Sequence, residues 1–234
     1  FEACERMGKE NGQTGLQENY NFIKNHAQDD LITGAMSLHT LFTCPEDYVK
    51  QGRAMARELG AKFHVHLSES VFEGNWCAEH MNGRKPVCIY DEFGCLDKDF
   101  IASQVVQVSQ EEIDVLGKSG ATAVSMPLSN CEVGGGIAPV TELLEAGVQV
   151  GLGTDGYINN FFEVMRGAFL IHKANRQDPQ AMGARQVYRM ATDMGAKALG
   201  MENLGRLAPG MLADVITINM FDTPTPINEK NVYD

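Results

Sequence analysis

Apolar and polar residues alternate with two different periods along most of the chain. Runs with a period of two residues predict strands over 32–39, 62–68, 100–108, 122–128 and 149–155. Stretches with apolar residues three or four positions apart predict helices over 16–29, 45–60, 70–83, 109–120, 138–147, 160–176 and 183–199. Five strands that are each followed by a helix predict a parallel α/β architecture. After the Pro209-Gly210 turn, the apolar segment 213–219 predicts one further strand.

Two parallel architectures agree with this order: a doubly wound open sheet, or part of a (β/α)₈ barrel. Their strands are equally apolar, so the periodicity does not separate them. In the second strand, KFHVHLS, Phe63, Val65 and Leu67 share one face, whereas His64 and His66 share the other. Helices packed on the apolar face would leave the histidine face directed into a barrel.

The same alternation places His39, His66 and Asp155 on the non-apolar face at the C-terminal ends of three strands. In a (β/α)₈ barrel this end carries the active site. Singly, a strand histidine is more often a hydrogen-bonded core residue, and an Asp before Gly is more often a turn or cap residue. Together they predict a hydrolytic metal site. Glu69, where a loop begins, is a candidate proton shuttle or else a solvated loop residue.

Composition and charge narrow the functional class. The 234 residues are 44% hydrophobic and 21% charged, which is ordinary for a globular protein. The net charge of −12 argues against partners such as nucleic acid or an anionic membrane surface. No apolar run approaches the ~18 residues needed to span a bilayer, and the first residues do not resemble a signal peptide. The six cysteines form no C-x-x-C pair, which predicts reduced thiols and a cytoplasmic location.

Four segments together carry a family resemblance: HVHLSES, PLSN, GGGIAPVTELLEAGVQVGLGTDG and GRLAPGMLADVITIN. They resemble the amidohydrolase superfamily, in the branch of guanine and cytosine deaminases, S-adenosylhomocysteine deaminases and triazine chlorohydrolases. The resemblance covers nearly the whole chain from about Ser37. It implies a (β/α)₈ barrel with a small composite β-sandwich, in which the five strands are barrel strands four to eight. Residues 1–203 would then form part of the barrel, and 204–234 would contribute to the sandwich.

The resemblance also implies a chemistry and assigns residues to it. One divalent metal ion, zinc in the first place and iron as the alternative, would be bound by His66 and Asp155. Asp155 would also accept a proton from the attacking water, and Glu69 would deliver one to the leaving group. His39 and Gln104 would contact a small-molecule substrate, an aminated ring or related compound whose C–N bond is hydrolysed.

The sequence departs from the family pattern in three places. The H-x-H pair of the first barrel strand is absent, Gln104 and Gln107 replace histidines on strand six, and Ser125 replaces a histidine on strand seven. These departures support a second hypothesis, in which the chain is a catalytically impaired amidohydrolase-fold subunit with a binding or assembly role. The resemblance further allows a homo-oligomer. The missing barrel strands would come from an N-terminal segment or from another chain.

The strand assignment predicts that residues 1–234 do not fold independently. A barrel closes by pairing its first and eighth strands, so strands four to eight alone would expose two apolar edges that invite aggregation. The test is expression of these residues by themselves. A soluble monomer with a cooperative thermal transition and native-like near-UV dichroism would contradict the prediction.

Overall fold

The computed structural model describes residues 2–156, 159–218 and 227–233. Five strands form one parallel sheet in the order β1-β2-β3-β4-β5. A doubly wound sheet changes its strand order at a switch point, and this sheet follows the chain order without such a change. The predicted parallel α/β architecture is confirmed. The strands are β1 Met36–Leu38, β2 Phe63–Leu67, β3 Phe100–Gln104, β4 Thr122–Ser125 and β5 Gln149–Leu152.

Helices follow every strand, and most of them match the predicted segments with shorter bounds. Two short helices, α4 and α6, were not predicted; both have a proline in the first turn, where its fixed φ favours helix. The predicted helix over 183–199 is interrupted at Thr192, whose φ of −128° and ψ of −101° are not helical. The helices are α1 Lys9–Asn25, α2 Glu46–Glu58, α3 Val71–His80, α4 Pro86–Glu92, α5 Gln110–Ser119, α6 Pro127–Glu132, α7 Val140–Glu145, α8 Phe161–Arg176, α9 Ala184–Ala191 and α10 Asp193–Ala198.

The apolar segment near the C-terminus does not form the predicted strand. Residues 213–218 have no strand pairing, and Asn219 lies outside the described residues. A strand requires a neighbour for its backbone hydrogen bonds, and no described segment takes that place. Ile216 is therefore left 76% exposed. The prediction of a strand over 213–218 is wrong for the chain as described.

The register of the sheet separates an apolar face from a polar one. Side chains such as Phe63, Val65 and Leu67 are fully buried against the helices. On the opposite face, the paired positions form a row across the five strands: Ser37, His64, Ile101, Thr122 and Gln149. The alternation in the sequence thus identified the helix-packed face correctly, and the candidate chemistry lies on the other.

Two global expectations can be compared with the described residues. All six cysteines are free thiols in the structure. Within the described parts of the chain, no helix combines the length and the apolar character that a membrane crossing requires.

A buried carboxylate ties together the loops that follow β1 and β2. Glu73 is 1% exposed, and the backbone N–H groups of Leu41 and Ser68 both donate to its carboxylate oxygens. Burial raises the pKa of Glu73 to about 7, although these two donors oppose the shift. The two loops leave the sheet at its C-terminal edge, so Glu73 fixes the spacing of the strand ends there.

We expect Glu73→Ala to lower the free energy of unfolding by about 2–6 kcal/mol. The substitution leaves two buried N–H groups without an acceptor, and each costs about 1–3 kcal/mol. Urea unfolding followed by circular dichroism measures the change. The matched control is Glu79→Ala, which removes an exposed carboxylate from the same helix and is expected to change stability by less than about 0.5 kcal/mol. Equal effects of the two variants would contradict the role given to Glu73.

Candidate active site

Polar side chains from separate strands meet at the C-terminal edge of the sheet. His39 follows β1 directly, His66 lies in β2, and Asp155 follows β5. The ring centroids of His39 and His66 are 5.3 Å apart. The charge of Asp155 acts on His66 and favours its protonated form. The structure therefore brings the three predicted residues into one region, because the carboxyl ends of parallel strands meet at a common edge.

The second histidine of β2, His64, has a structural role. The Ser103 hydroxyl donates to the Val65 carbonyl at 3.0 Å, so its oxygen accepts from His64 Nε2–H at 2.8 Å. The Ser37 hydroxyl then donates to His64 Nδ1 at 2.8 Å. Both ring nitrogens are thus occupied, and burial lowers the pKa of His64 to about 4. This histidine is a hydrogen-bonded core residue.

His66 is much less constrained by its neighbours. Within the described chain, its Nδ1 is buried without a hydrogen-bond partner, and its Nε2 lies 3.1 Å from a carboxylate oxygen of Glu2. Burial lowers the pKa of His66, and the opposing effect of Asp155 does not cancel the shift. The ring is therefore neutral near pH 7, which is the form that binds metals.

His39 has hydrogen-bond partners at both ring nitrogens. The Thr43 hydroxyl donates to the Thr40 carbonyl at 3.0 Å, so its oxygen accepts from His39 Nδ1–H at 2.8 Å. Nε2 then carries a lone pair, and a guanidinium nitrogen of Arg6 lies 3.2 Å from it. Burial lowers the pKa of His39 to about 4, and the charges of His66 and Arg6 act in the same direction.

Asp155 is held as a carboxylate by three donors. Its Oδ2 accepts from Gln104 Nε2 at 3.0 Å and from the Ser129 hydroxyl at 2.8 Å, and its Oδ1 accepts from the Gly156 N–H at 2.6 Å. Burial alone would raise the pKa of Asp155, but these hydrogen bonds outweigh it and hold the pKa below its usual value. Gln104 thus contacts Asp155, and its own Oε1 is buried without a partner in the described chain.

Left-handed backbone conformations occur where the strands enter the site. Ser68, Gln104 and Asp155 have φ angles of 54°, 75° and 57°, which are unfavourable for residues with a Cβ atom. Such conformations persist only where the surrounding structure enforces them, and they cluster at functional sites. The strain supports a functional role for this edge of the sheet.

Glu69 lies beside this group on the loop after β2. It is half-buried, and burial together with the charge of Asp155 raises its pKa. A Cβ at Gly135 would lie 2.5 Å from the Glu69 carbonyl oxygen, so only glycine fits there. Gln107 Nε2 donates to the Gly135 carbonyl at 2.6 Å. Gln107 therefore stabilises the contact between two loops and makes no contact with Asp155.

Two further residues of the site were missed by the sequence analysis. Ser129 lies within PLSN, a segment that supported the family resemblance as a whole without singling out this residue. Glu2 has no motif around it. The donor atoms of Glu2, His39 and His66 all lie within 4.8 Å of one another. Two imidazoles and one carboxylate are a donor set that zinc accepts, so the residues present fit a divalent ion.

The sequence model of the Amidohydrolase family matches residues 9–233. The chain belongs to this family. It is 36% identical over 233 residues to a 5-methylthioadenosine/S-adenosylhomocysteine deaminase of Carboxydothermus hydrogenoformans, covering 97% of this chain and 52% of the relative. It is 38% identical over 235 residues to a 5'-deoxyadenosine deaminase of Methanosarcina barkeri, covering 94% and 54%. The chain thus spans about half the length of the curated relatives it matches.

Solved structures show the same fold. An adenosine deaminase from Xanthomonas campestris with bound zinc superposes with a TM-score of 0.77 at 27% identity, covering 85% of this chain and 45% of that one. The guanine deaminase of E. coli superposes with a TM-score of 0.80 at 21% identity, covering 90% and 50%. The predicted resemblance to the amidohydrolase superfamily is confirmed.

Ser129→Ala is expected to raise the pKa of Asp155 toward its ordinary value, because it removes one of the donors to Oδ2. A lowered pKa in the folded state stabilises the fold above the ordinary pKa and loses that contribution as the pH falls through the lowered value. The variant should therefore lose stability at neutral pH and show a weaker loss on acidification. Carbon-detected NMR titration of the Asp155 carboxyl measures the shift.

The control for this measurement is Ser119→Ala, at the end of α5 and thus near the opposite edge of the sheet. It should leave the Asp155 titration unchanged. An unchanged Asp155 titration in Ser129→Ala would show that the hydroxyl does not hold the carboxylate.

Proposed function

We propose that this chain is part of a metal-dependent amidohydrolase that hydrolyses a C–N bond and removes the amino group of an aminated ring. The observation that carries the proposal is the convergence of His39, His66 and Asp155 at one edge of a parallel sheet, with Glu69 beside them. The neutral imidazole of His66 and the ionised carboxylate of Asp155 supply metal ligands and a base, and the Glu69 carboxyl group of raised pKa supplies an acid. The neutral imidazole of His39 supplies a contact for the substrate.

The fold supports a more specific architecture. The sequential parallel order of β1 to β5 agrees with strands four to eight of a (β/α)₈ barrel. In this proposal residues 1–203 belong to the barrel, and 204–234 contribute to a composite β-sandwich whose other strands come from elsewhere. The remaining barrel strands come from the rest of a longer polypeptide or from another chain. The free thiols fit the cytoplasm.

We propose an adenine nucleoside or a related aminated ring as the substrate class. The named activities of two relatives at 36% and 38% identity are deaminations of 5-methylthioadenosine or S-adenosylhomocysteine and of 5'-deoxyadenosine. The buried, unpartnered Oε1 of Gln104 could accept a hydrogen bond from a ring or amino N–H. His39 Nε2 could accept another in place of the Arg6 guanidinium, which lies 3.2 Å from it.

His66 and Asp155 would hold a divalent ion, for which we propose zinc. Such an ion, when bound, lowers the pKa of a coordinated water toward about 7. Asp155 stays ionised because of its three donors, so it can accept the proton that the attacking water releases. Glu69 has a raised pKa and lies near Asp155, so it can hold a proton and deliver it to the departing amino group. His39 and Gln104 orient the substrate.

A second candidate function is supported by a specific observation. Gln104, Gln107 and Ser125 replace family histidines, and neither an amide nor a serine hydroxyl titrates near neutral pH. Gln104 uses its amide N–H to hold Asp155. A subunit that keeps the fold and binds a ligand, but has lost catalysis, would show this pattern.

The expected result for the enzyme is ammonia release from at least one compound in a panel of aminated purines, purine nucleosides, pyrimidines and triazines. Glu69→Gln should lower kcat about 10²–10⁴-fold, because a general acid contributes that much, while metal content stays unchanged. The control is Glu79→Gln, an exposed residue of α3. The assay uses the complete natural polypeptide loaded with zinc. If it binds zinc and the ring compounds but releases no ammonia, the binding-subunit function is favoured instead.

A further inference from the structure

We propose that Gln107 is a positioning residue for Glu69, and that it acts through the glycine loop, residues 134–136. Together they fix the proposed acid, Glu69, relative to the proposed base, Asp155. The inference rests on the proposed function, in which Glu69 delivers a proton to the leaving group. Such a transfer depends on geometry, because a misplacement of about 1 Å can lower a rate about 10²-fold. Gln107 needs no titratable group for this role.

The peptide that precedes Glu69 is held by the loop after β3. The backbone N–H groups of Val106 and Gln107 both donate to the Ser68 carbonyl, at 3.1 Å and 2.8 Å. Ser68 has a left-handed φ of 54°, a conformation that persists only where the surrounding structure enforces it. These two hydrogen bonds help to enforce it, and they place the loop after β3 directly beside Glu69.

The peptide that follows Glu69 is held by the glycine loop. A Cβ at Gly135 would lie 2.5 Å from the Glu69 carbonyl oxygen, so the two backbones pack with no room for a side chain between them. Gln107 Nε2 donates to the Gly135 carbonyl at 2.6 Å. A Cβ at Gly136 would lie 3.0 Å from this same nitrogen. Gln107 therefore holds the Glu69 backbone from two sides, through Ser68 with its main chain and through Gly135 with its side chain.

The N–H groups of the glycine loop already have acceptors within the chain. The Gly134 N–H donates to the Cys131 carbonyl at 3.2 Å, and those of Gly135 and Gly136 donate to the Asn130 carbonyl at 2.8 Å and 3.3 Å. A loop that cradles an anion directs such groups at the ligand, so this loop is not an anion site. Its hydrogen bonds instead attach it to the C-terminal end of α6.

The helix α6 connects this arrangement to the proposed base. Ser129 precedes Asn130 in α6, and its hydroxyl donates to Asp155 Oδ2 at 2.8 Å. Ser129 and Asn130 are both 1% exposed, so this part of α6 is fixed in the core. One short helix thus holds Asp155 with one residue and the glycine loop with the next. Because Gln107 joins the glycine loop to the backbone of Glu69, the acid and the base share one support.

The first test measures kcat and KM of the complete natural polypeptide loaded with zinc, on the compound of the aminated-ring panel that it hydrolyses fastest. Gln107→Leu should lower kcat about 10–10²-fold, because Glu69 is then displaced from its place in the site. KM should be unchanged, since the proposed substrate contacts, His39 and Gln104, stay in place. Gln107→His keeps an N–H donor and should restore most of the lost kcat. The matched control is Gln110→Leu, which removes an exposed amide from α5 and should match the wild type.

The second test is a double-mutant cycle with Glu69→Gln. In that background Gln107→Leu should cause no further loss of kcat, because a positioning residue acts only through the group that it positions. Gly135→Ala forces the Glu69 backbone away without altering Gln107, and it should show the same loss of kcat and the same non-additivity. Its control is Gly74→Ala on α3, where a Cβ would have no neighbour within 4 Å. Zinc content and thermal unfolding identify variants that are folded, and Gly135→Ala carries the test if Gln107→Leu is not.

The outcomes separate this inference from the proposed function. If Glu69→Gln lowers kcat while Gln107→Leu and Gly135→Ala keep the wild-type kcat, the inference is overturned and the proposed function stands. A loss of kcat by the same factor with and without Glu69→Gln also overturns it, because the effect of Gln107 is then merely structural. If Glu69→Gln keeps the wild-type kcat, or if the wild-type polypeptide releases no ammonia from any compound of the panel, both proposals fail.

Discussion

The parallel register of the five strands is the constraint on which the arrangement of the candidate site depends. It aligns Ser37 with His64 and His64 with Ile101, and it continues through Thr122 to Gln149. A shift of one residue would exchange the two faces and bury the polar row against the helices. All five strands run in the same direction, so the residues that follow this row along each strand lead to the C-terminal edge of the sheet. The loops that follow the five strands meet at that edge.

Sequence periodicity predicts what depends on neighbours along the chain. The alternation in FHVHL identified the face of His64 and His66, and the five strands and their parallel order were found in this way. Features that depend on distant partners were not. Residues 213–218 have the composition of a strand, but no described segment lies beside them to pair with, so they form no strand. The helix α4 was missed because KPVCIYDEFG has too few residues to show a helical period.

In the candidate site, too, the features that depend on distant partners could not be predicted from the sequence. His64 and His66 share one face by sequence parity, and only the position of His66 nearer the end of the strand distinguishes them along the chain. The structural role of His64 depends on hydrogen bonds from two other strands. Ser37 and Ser103 occupy both nitrogens of His64, whereas His66 keeps a buried nitrogen without a partner. No pattern along the chain contains this information. Glu2 is a stronger case, since a single bridge between Ala3 and Leu38, across 34 intervening positions, brings it to the histidines.

The resemblance to the family implies a histidine at position 104, and the amide of Gln104 found there has a physical consequence for the whole edge. An imidazole could gain or lose a proton near neutral pH, whereas an amide offers only fixed dipoles. Its N–H, together with the Ser129 hydroxyl, fixes Asp155 Oδ2 and stabilises the charged carboxylate. With Asp155 constrained in this way and its proton affinity lowered, the site keeps a carboxylate of fixed orientation. In the proposed function, proton delivery to the leaving group would then depend on Glu69, which lies in the field of that charge.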